Sequence, residues 1–596
     1  QSCSVDSMST GPRSLIEVTE EMTSPGQMFE IERTIINDIE MSVWKHAPAN
    51  LRTVLELSRG HGPRDCLVYE DQRFTFDDLF RIAATIAQRL VERGVAKGDR
   101  VAIAARNLPQ WAMAFWGSVV IGAVVVPVNA WWTTEELTYG LLDSGSSIVF
   151  VDVERLERIR EKFDELPELT TVVVIGDTSS PMAQAYAQHE RVAIVGFDEF
   201  VGEITPNASL PDVAIKSDDD ATMFYTSGTT GHPKGAVGTH RNLVTNLMGV
   251  FFHGQRSTIR FGGGNVDKDG NGVPNAILLN VPLFHATGCQ AVLITNVAAG
   301  GKLVMMHHFD AGKALGLIET ERITSFGGVP TIAMQILDHP NFDKFDTSSV
   351  TSVAYGGAPA PPDLVRRIRA AFPKGQPSNG YGLTETSAGV CSNSGPDYVA
   401  KPTSCGPPVP VCEIAIVPED YEGDEPSSDL AIGPDVLGEL WIKGPMVIRA
   451  YWNKPEATAK AFTKGWLHTG DIARIDEDGF VFIVDRAKDM IIRGGENIYS
   501  VIVEAVIFDH PDVADCAVVG LAHATLGEEV AAVIVLRPGR VVEAEEILRH
   551  VAQHLARYEV PTKVFFRSSP LPRNPQGKVL KRALRDTLEE QISRSN

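Results

Sequence analysis

The sequence predicts an α/β fold, followed by a small strand-rich segment and a compact α+β end block. Three observations carry this reading. Helical patterns alternate with short, wholly apolar runs from Leu51 through the middle of the chain, as parallel strands covered on both faces do. After Gly406, strand-like runs follow one another without intervening helices. The last stretch, about 110 residues long, has a helix–strand alternation of its own.

In chain order, residues 1–48 read as a loosely attached N-terminal arm. Phe74–Asp78 leads into Leu79–Val91, apolar at helical spacing. Strands follow at Val101–Ala104, Gly122–Val128, Ser147–Asp152 and Thr171–Ile175, with a helix over Trp111–Val120. Ala221–Phe224 reads as a strand, His240–Val250 as a helix and the Gly-rich Gly254–Asn275 as a surface loop. The rhythm resumes with strand Ala276–Val281, helix Gly288–Ala299, strand Lys302–Met306 and helix Lys313–Glu321. Ile414–Val417, Gly438–Lys443 and Phe480–Val484 are the strands of a β subdomain spanning about 405–485. The end block has helices Val503–Asp509 and Ala544–Ala556 and strands Val513–Gly520 and Val530–Leu536. The expected division is therefore arm 1–48, large domain 49–485 and C-terminal domain 486–596.

Composition narrows the function. With 596 residues the chain exceeds one hydrophobic core. Its 43% hydrophobic and 22% charged residues exclude disorder for most of it. A net charge of −22 makes a general binder of nucleic acid or anionic membrane unexpected. The longest uncharged apolar stretch, Phe115 to Val128, falls short of the ~20 residues of a spanning helix. The first residues lack a basic-then-apolar signal, and the last are not a peroxisomal S-K-L address. Seven scattered cysteines with no C-x-x-C argue against a disulfide framework or thiolate metal site, and fit the cytoplasm. Asp267, Asp269, Asn271 and Gly272 match half of a calcium loop, but Leu278 stands where the bidentate Glu belongs. His550 and His554 lack the Glu of a zinc-protease helix, and no G-x-S-x-G occurs.

The strongest chemical signal is Tyr225-Thr226-Ser227-Gly228-Thr229-Thr230-Gly231-His232-Pro233-Lys234-Gly235. Glycines bring backbone N–H groups close to an anion, hydroxyls add donors and Lys234 adds charge, so the loop suits phosphate. It is not a Walker loop. Other strings follow: Tyr355-Gly356-Gly357-Ala358-Pro359, Asn379-Gly380-Tyr381-Gly382-Leu383-Thr384-Glu385, Trp466-Leu467-His468-Thr469-Gly470-Asp471, Asp485-Arg486-Ala487-Lys488-Asp489 and Pro572-Arg573-Asn574-Pro575-Gln576-Gly577-Lys578. A tyrosine ring stacks on a purine, a carboxylate suits Mg²⁺ or a vicinal diol, and a lysine bridges two anions.

These strings, in this order from about Leu51 to Leu584, resemble the class I adenylate-forming enzymes: acyl-CoA synthetases, firefly-type luciferases and nonribosomal adenylation domains. The resemblance implies a large domain with two parallel-sheet α/β subdomains and a small β-barrel subdomain, plus a mobile α+β C-terminal domain. It implies two half-reactions: a carboxylic acid and ATP give acyl-adenylate and pyrophosphate, then a thiol, coenzyme A, displaces AMP. By the same resemblance Thr226–Gly231 and Lys234 hold phosphate, Gly356–Pro359 wall the adenine, and Asn379–Gly382 with Tyr381 bind it. Thr384 contacts phosphate, Glu385 holds Mg²⁺, Asp471 and Arg486 take the ribose, Lys578 is catalytic and Lys488 is the hinge. Gly494, Gly495 and Glu496 are candidates for the CoA channel.

Val281–Gly288 resembles the family's motif at the acyl pocket, with His285 beside the carboxylate. Amino-acid-activating relatives carry Asp directly after the Phe to pair an ammonium; His285 stands here, so amino acids are not expected. Thr287, Cys289, Gly327, Gly328 and Val329 are candidate walls, small enough to leave room for a long or bulky, fatty-type acid. The expected enzyme is an ATP-, Mg²⁺- and CoA-dependent acyl-CoA synthetase, monomeric or homodimeric. The alternatives are a fatty acyl-AMP ligase, a luciferase-type mono-oxygenase and a non-catalytic nucleotide-binding shell.

Overall fold

The computed structural model describes residues 12–176, 189–226, 232–262, 272–356, 362–418, 421, 423–426, 433–574 and 577–595. The alternation read from the sequence becomes two eight-stranded sheets. In the first, Asp220–Thr226, Val124–Pro127, Arg100–Ala104, Ile148–Asp152, Thr171–Ile175 and Ala193–Gly196 run parallel. Lys234–Thr239 turns back antiparallel beside Asp220–Thr226. In the second, Gln376–Tyr381, Ser352–Gly356, Ser325–Gly328, Ala276–Leu279, Lys302–Met305 and Asp65–Tyr69 are parallel, with an antiparallel strand at each edge. The strands come from apolar runs because helices cover both faces.

One core cluster joins the sheets: Val101 and Ile103 of the first share it with Leu279, Leu303 and Met305 of the second. The helix Pro109–Val119 lies within this cluster, and all its residues but Gln110 are buried. That explains why Trp111, Phe115 and Trp116 show no polar stripe. Because the sheets are locked together, the ends of their strands face one shared crevice, where open α/β sheets bind ligands.

The β subdomain is antiparallel as expected, pairing Glu413–Val417, Gly433–Lys443, Trp466–Ile475 and Val481–Arg486, with Phe462–Thr463 beside Trp466–Ile475. Among the described residues it does not close into the expected barrel. Its outer edge is covered instead: Cys405 N–H donates to the Val481 carbonyl and Val481 N–H to the Gly406 carbonyl. The C-terminal sheet alternates in period two. Cys516 and Val518 face helices Ser500–Phe508 and Ala544–Ala552, whereas Ala517 and Val519 face Lys581–Ser595.

Two further expectations fail. From residue 12 on, the arm is not loose. A helix, Leu15–Thr23, and a hairpin, Ile31–Ile36 with Ile39–Trp44, dock on the large domain. Phe29, Trp44 and Phe252 form an aromatic cluster with centroids 5.4–5.7 Å apart. Nor is Gly254–Asn275 wholly loop: the helix His240–Phe261 continues through its first part. Arg256 is buried there and Arg260 pairs with Asp397, so packing overrides the polar, Gly-containing sequence. Asp267, Asp269 and Asn271 lie outside the described residues.

Candidate active site

A single cavity of roughly 1970 Å³ opens in the crevice and reaches residues of every motif named above. From the large domain it meets Thr226, Lys234, His285, Tyr381, Thr384 and Glu385. From beyond the β subdomain it meets Arg486, Lys488, Gly577 and Lys578. Ser227, Gly228, Thr229, Thr230 and Gly231 of the phosphate loop, and Gly357, Ala358 and Pro359 of the adenine wall, lie outside the described residues. Gly356, Asn379, Gly380 and Gly382 line the cavity.

Lys578 is held at the site by its loop. Its N–H donates to Asn574 Oδ1 at 2.9 Å, and Asn574 N–H donates to the Lys578 carbonyl. Arg573, paired with Asp515 at 2.7 Å, donates to the Gly577 carbonyl and pins the same loop. Burial, then the neighbouring Arg486 charge, lowers the Lys578 ammonium to about 8. A half-buried ammonium with no ion-pair partner among the described residues is poised for anions.

His285 is neutral. Burial lowers it to about 4, and its Nδ1 accepts the Thr287 N–H at 3.3 Å, leaving the ring proton on Nε2 as a donor. It is fixed by a tight turn: a Cβ on Gly288 would sit 2.1 Å from the Pro282 oxygen, so only glycine fits. The predicted helix then starts as a π-helical segment, Thr287–Ile294, before Thr295–Ala299. Thr287, Gly327, Gly328 and Val329 line the cavity. Cys289 does not. It points into the core shared by the two sheets, fully buried, so its assignment to the acyl wall is corrected.

Asp471 is also placed differently from the expectation. It is 2% exposed and does not line the cavity. Tyr381 donates to its Oδ2 at 2.6 Å and Arg486, directly across the ladder, pairs with its Oδ1 at 2.8 Å. In this arrangement the carboxylate orients Tyr381 and Arg486, which do reach the cavity. Gly494 and Gly495, with φ of +63° and +91°, form a two-residue hairpin turn between Arg493 and Glu496. Turn geometry explains the glycine pair, and neither they nor Glu496 touch the cavity.

Tyr451 was not singled out from the sequence. The short strand Ala450–Tyr451 extends the first sheet beside Lys234–Thr239. There the Tyr451 hydroxyl donates to Glu385 Oε1 at 2.7 Å, and Lys234 Nζ sits 4.3 Å from its ring centroid. Burial, reinforced by the Glu385 charge, raises the phenol well above its ordinary value, so it stays a donor. A lone tyrosine far from any motif carries no sequence signal for this role.

The sequence model of the AMP-binding enzyme family matches residues 56–452, and that of the AMP-binding enzyme C-terminal domain matches 502–578. The chain belongs to the AMP-binding enzymes. It is 34% identical over 519 residues to long-chain-fatty-acid–CoA ligase FadD13 of Mycobacterium tuberculosis, covering 87% of this chain and 93% of that protein. It is equally 34% identical over 514 residues to a feruloyl-CoA synthase of Amycolatopsis sp, covering 86% and 93%. Among solved structures, a Mycobacterium tuberculosis fatty acyl CoA synthetase superposes with a TM-score of 0.64 at 31% identity, covering 91% of this chain and 99% of that one. This AMP-binding enzyme is an AMP-forming acid–thiol ligase of the adenylate-forming acyl-CoA ligase group. No described helix is long and apolar enough to cross a membrane.

Proposed function

We propose that the enzyme activates a fatty-type carboxylic acid with ATP and passes the acyl group to coenzyme A in the cytoplasm. The observation that carries this reading is one cavity shared by a cation, Lys578, a neutral ring donor, His285, and a carboxylate, Glu385. Adenylation joins two anions, a carboxylate and an α-phosphate. Lys578 offsets their repulsion and stabilises the charge of the transfer state. His285 Nε2–H orients the acid's carboxylate without exchanging a proton at neutral pH. Lys234 and Thr384 face the phosphates, and Tyr381 and Arg486 the nucleoside.

Glu385 fits a Mg²⁺ ion. Its Oε1 is held by Tyr451, and its Oε2 bears no hydrogen bond from a described residue. One free hard oxygen suits an ion that takes its other ligands from phosphates and water. Bound there, Mg²⁺ supplies charge neutralisation on the triphosphate. Lys488, exposed in the turn after Val481–Arg486, is the proposed hinge that removes the Lys578 loop for thiol attack.

Relatives named for fatty acids and for a feruloyl group stand at the same identity, so similarity does not choose the acid; the volume of the cavity favours a long or bulky one. The test is pyrophosphate release with ATP and Mg²⁺ over short, medium, long and aromatic acids, with and without CoA, products read by mass. Acid-dependent AMP and acyl-CoA, strongest for long acids, are expected. Acyl-AMP that persists despite CoA, or preference for short acids, would overturn the reading.

A further inference from the structure

One arm of the cavity runs between the second sheet and the helix His240–Phe261, and its sheet wall has an unusual composition. Val353, Tyr355 and Phe326 belong to a hydrophobic core cluster, although Phe326 and Tyr355 also reach the cavity. The alternate residues line the arm. The strand register aligns them in rows. Ser325, Ser352 and Gln376 lie side by side, as do Gly327, Ala354 and Ser378, then Gly356 and Gly380. A covered face of a parallel sheet is ordinarily Val, Ile and Leu. Here small residues leave the arm open, and its far row is hydrogen-bonding and meets solvent, with Gln376 exposed and Ser325 and Ser352 half-buried. The side chains of Ser325, Ser352 and Gln376 make no hydrogen bond to another described residue.

The near end is fixed by chemistry. Val329, directly after Ser325–Gly328, touches the Lys578 loop at Gly577. Ser325 is four residues back along an extended chain, about 13 Å away. Across the arm the helix offers Val250, His253, Ser257 and Phe261, a mixed apolar and polar face.

We propose that Ser325, Ser352 and Gln376 form a specificity row for a neutral oxygen function, a hydroxyl or keto group, near the distal end of a long acid. This rests on the acid-activating function proposed above and refines its substrate. The row holds donors and acceptors but no charge, which suits a neutral group better than a second carboxylate. A plain alkyl end would displace water from the half-buried Ser325 and Ser352 and return nothing, whereas an oxygenated end replaces that water and reaches Gln376 at the mouth.

The test uses the full-length enzyme and straight-chain acids of graded, matched length, each as the alkyl, ω-hydroxy and α,ω-dicarboxylic acid. At the length that reaches the row, kcat/KM for the ω-hydroxy acid should exceed that for the alkyl acid by about tenfold, mostly through KM. Ser352→Val and Gln376→Leu should erase or reverse that ratio, with folding checked by their thermal unfolding transitions. Equal or better use of the alkyl acid by the unaltered enzyme would overturn the proposal while leaving acyl activation standing. So would preference for the dicarboxylic acid, which would point to Lys374 at the rim. Failure to activate any acid would instead strike the function on which it rests.

Discussion

Gly577 of the C-terminal domain packs against Val329 of the large domain so closely that a Cβ on Gly577 would lie 2.6 Å from Val329 Cγ2. Its φ of +81° is also one that L side chains rarely adopt. The contact seats the Lys578 loop against Val329 at the cavity, as the proposed adenylation step requires.

Gly577→Ala should therefore slow adenylation by about tenfold or more, since the left-handed conformation alone costs about 1–2 kcal/mol. Thioester formation from preformed acyl-adenylate should be spared. Adding Val329→Ala should recover part of the loss, because it removes the clash and not the backbone strain. Pyrophosphate exchange on the single and double variants checks this.

The lowered Lys578 ammonium sets a pH limb. Its charge is present below about 8 and lost above, so kcat/KM for adenylation should fall as pH rises through that value. His285, at about 4, adds no limb near neutrality. Lys578→Arg keeps its charge at high pH, so whatever rate remains should lose the alkaline limb. The pH profile of both proteins is the measurement.

Tyr451→Phe removes the hydroxyl that holds Glu385 Oε1. A hydrogen bond to a charged group contributes about 1.5–3 kcal/mol, so the Mg²⁺ concentration for half-maximal adenylation should rise at least tenfold. An unchanged requirement, from a titration of pyrophosphate release against Mg²⁺, would remove Tyr451 from the site.

A buried network spans the proposed hinge. Ser500 donates to Asp485 Oδ2 at 2.8 Å, Lys581 donates to Ser500 Oγ at 2.6 Å, and Lys581 pairs with Glu504 at 2.7 Å. Asp485 precedes Lys488 and the other three follow it, so rotation there would separate Asp485 from Ser500. Asp485→Ala should weaken adenylation more than thioester formation. Lys488→Pro, which restricts the turn, should do the reverse. Stopped assays of each half-reaction read the opposite signs.

Much of this was legible because local signals were strong. The parallel strands Val101–Ala104 and Thr171–Ile175 are uninterrupted apolar runs, and the lysine and glutamate motifs are long strings that few folds would share. What escaped depended on long-range packing. The arm looked polar, yet Trp44 and Phe29 find Phe252 more than two hundred residues away. Cys289 directly follows a motif but lies on the core side of its helix, which spacing alone does not reveal through a π-helical segment. Gly494-Gly495 invited a channel reading, whereas a hairpin turn requires the same glycines. Tyr451 serves Glu385 only because a two-residue strand joins the first sheet.

The most direct test of the central claim, that Lys578 in this cavity performs adenylation alone, is Lys578→Ala assayed in each half-reaction separately. Acid-dependent pyrophosphate release should fall on the order of 10²–10³-fold, while CoA should still take the acyl group from preformed acyl-adenylate at close to the unaltered rate. Equal loss in both half-reactions, or adenylation that survives the substitution, would contradict the account.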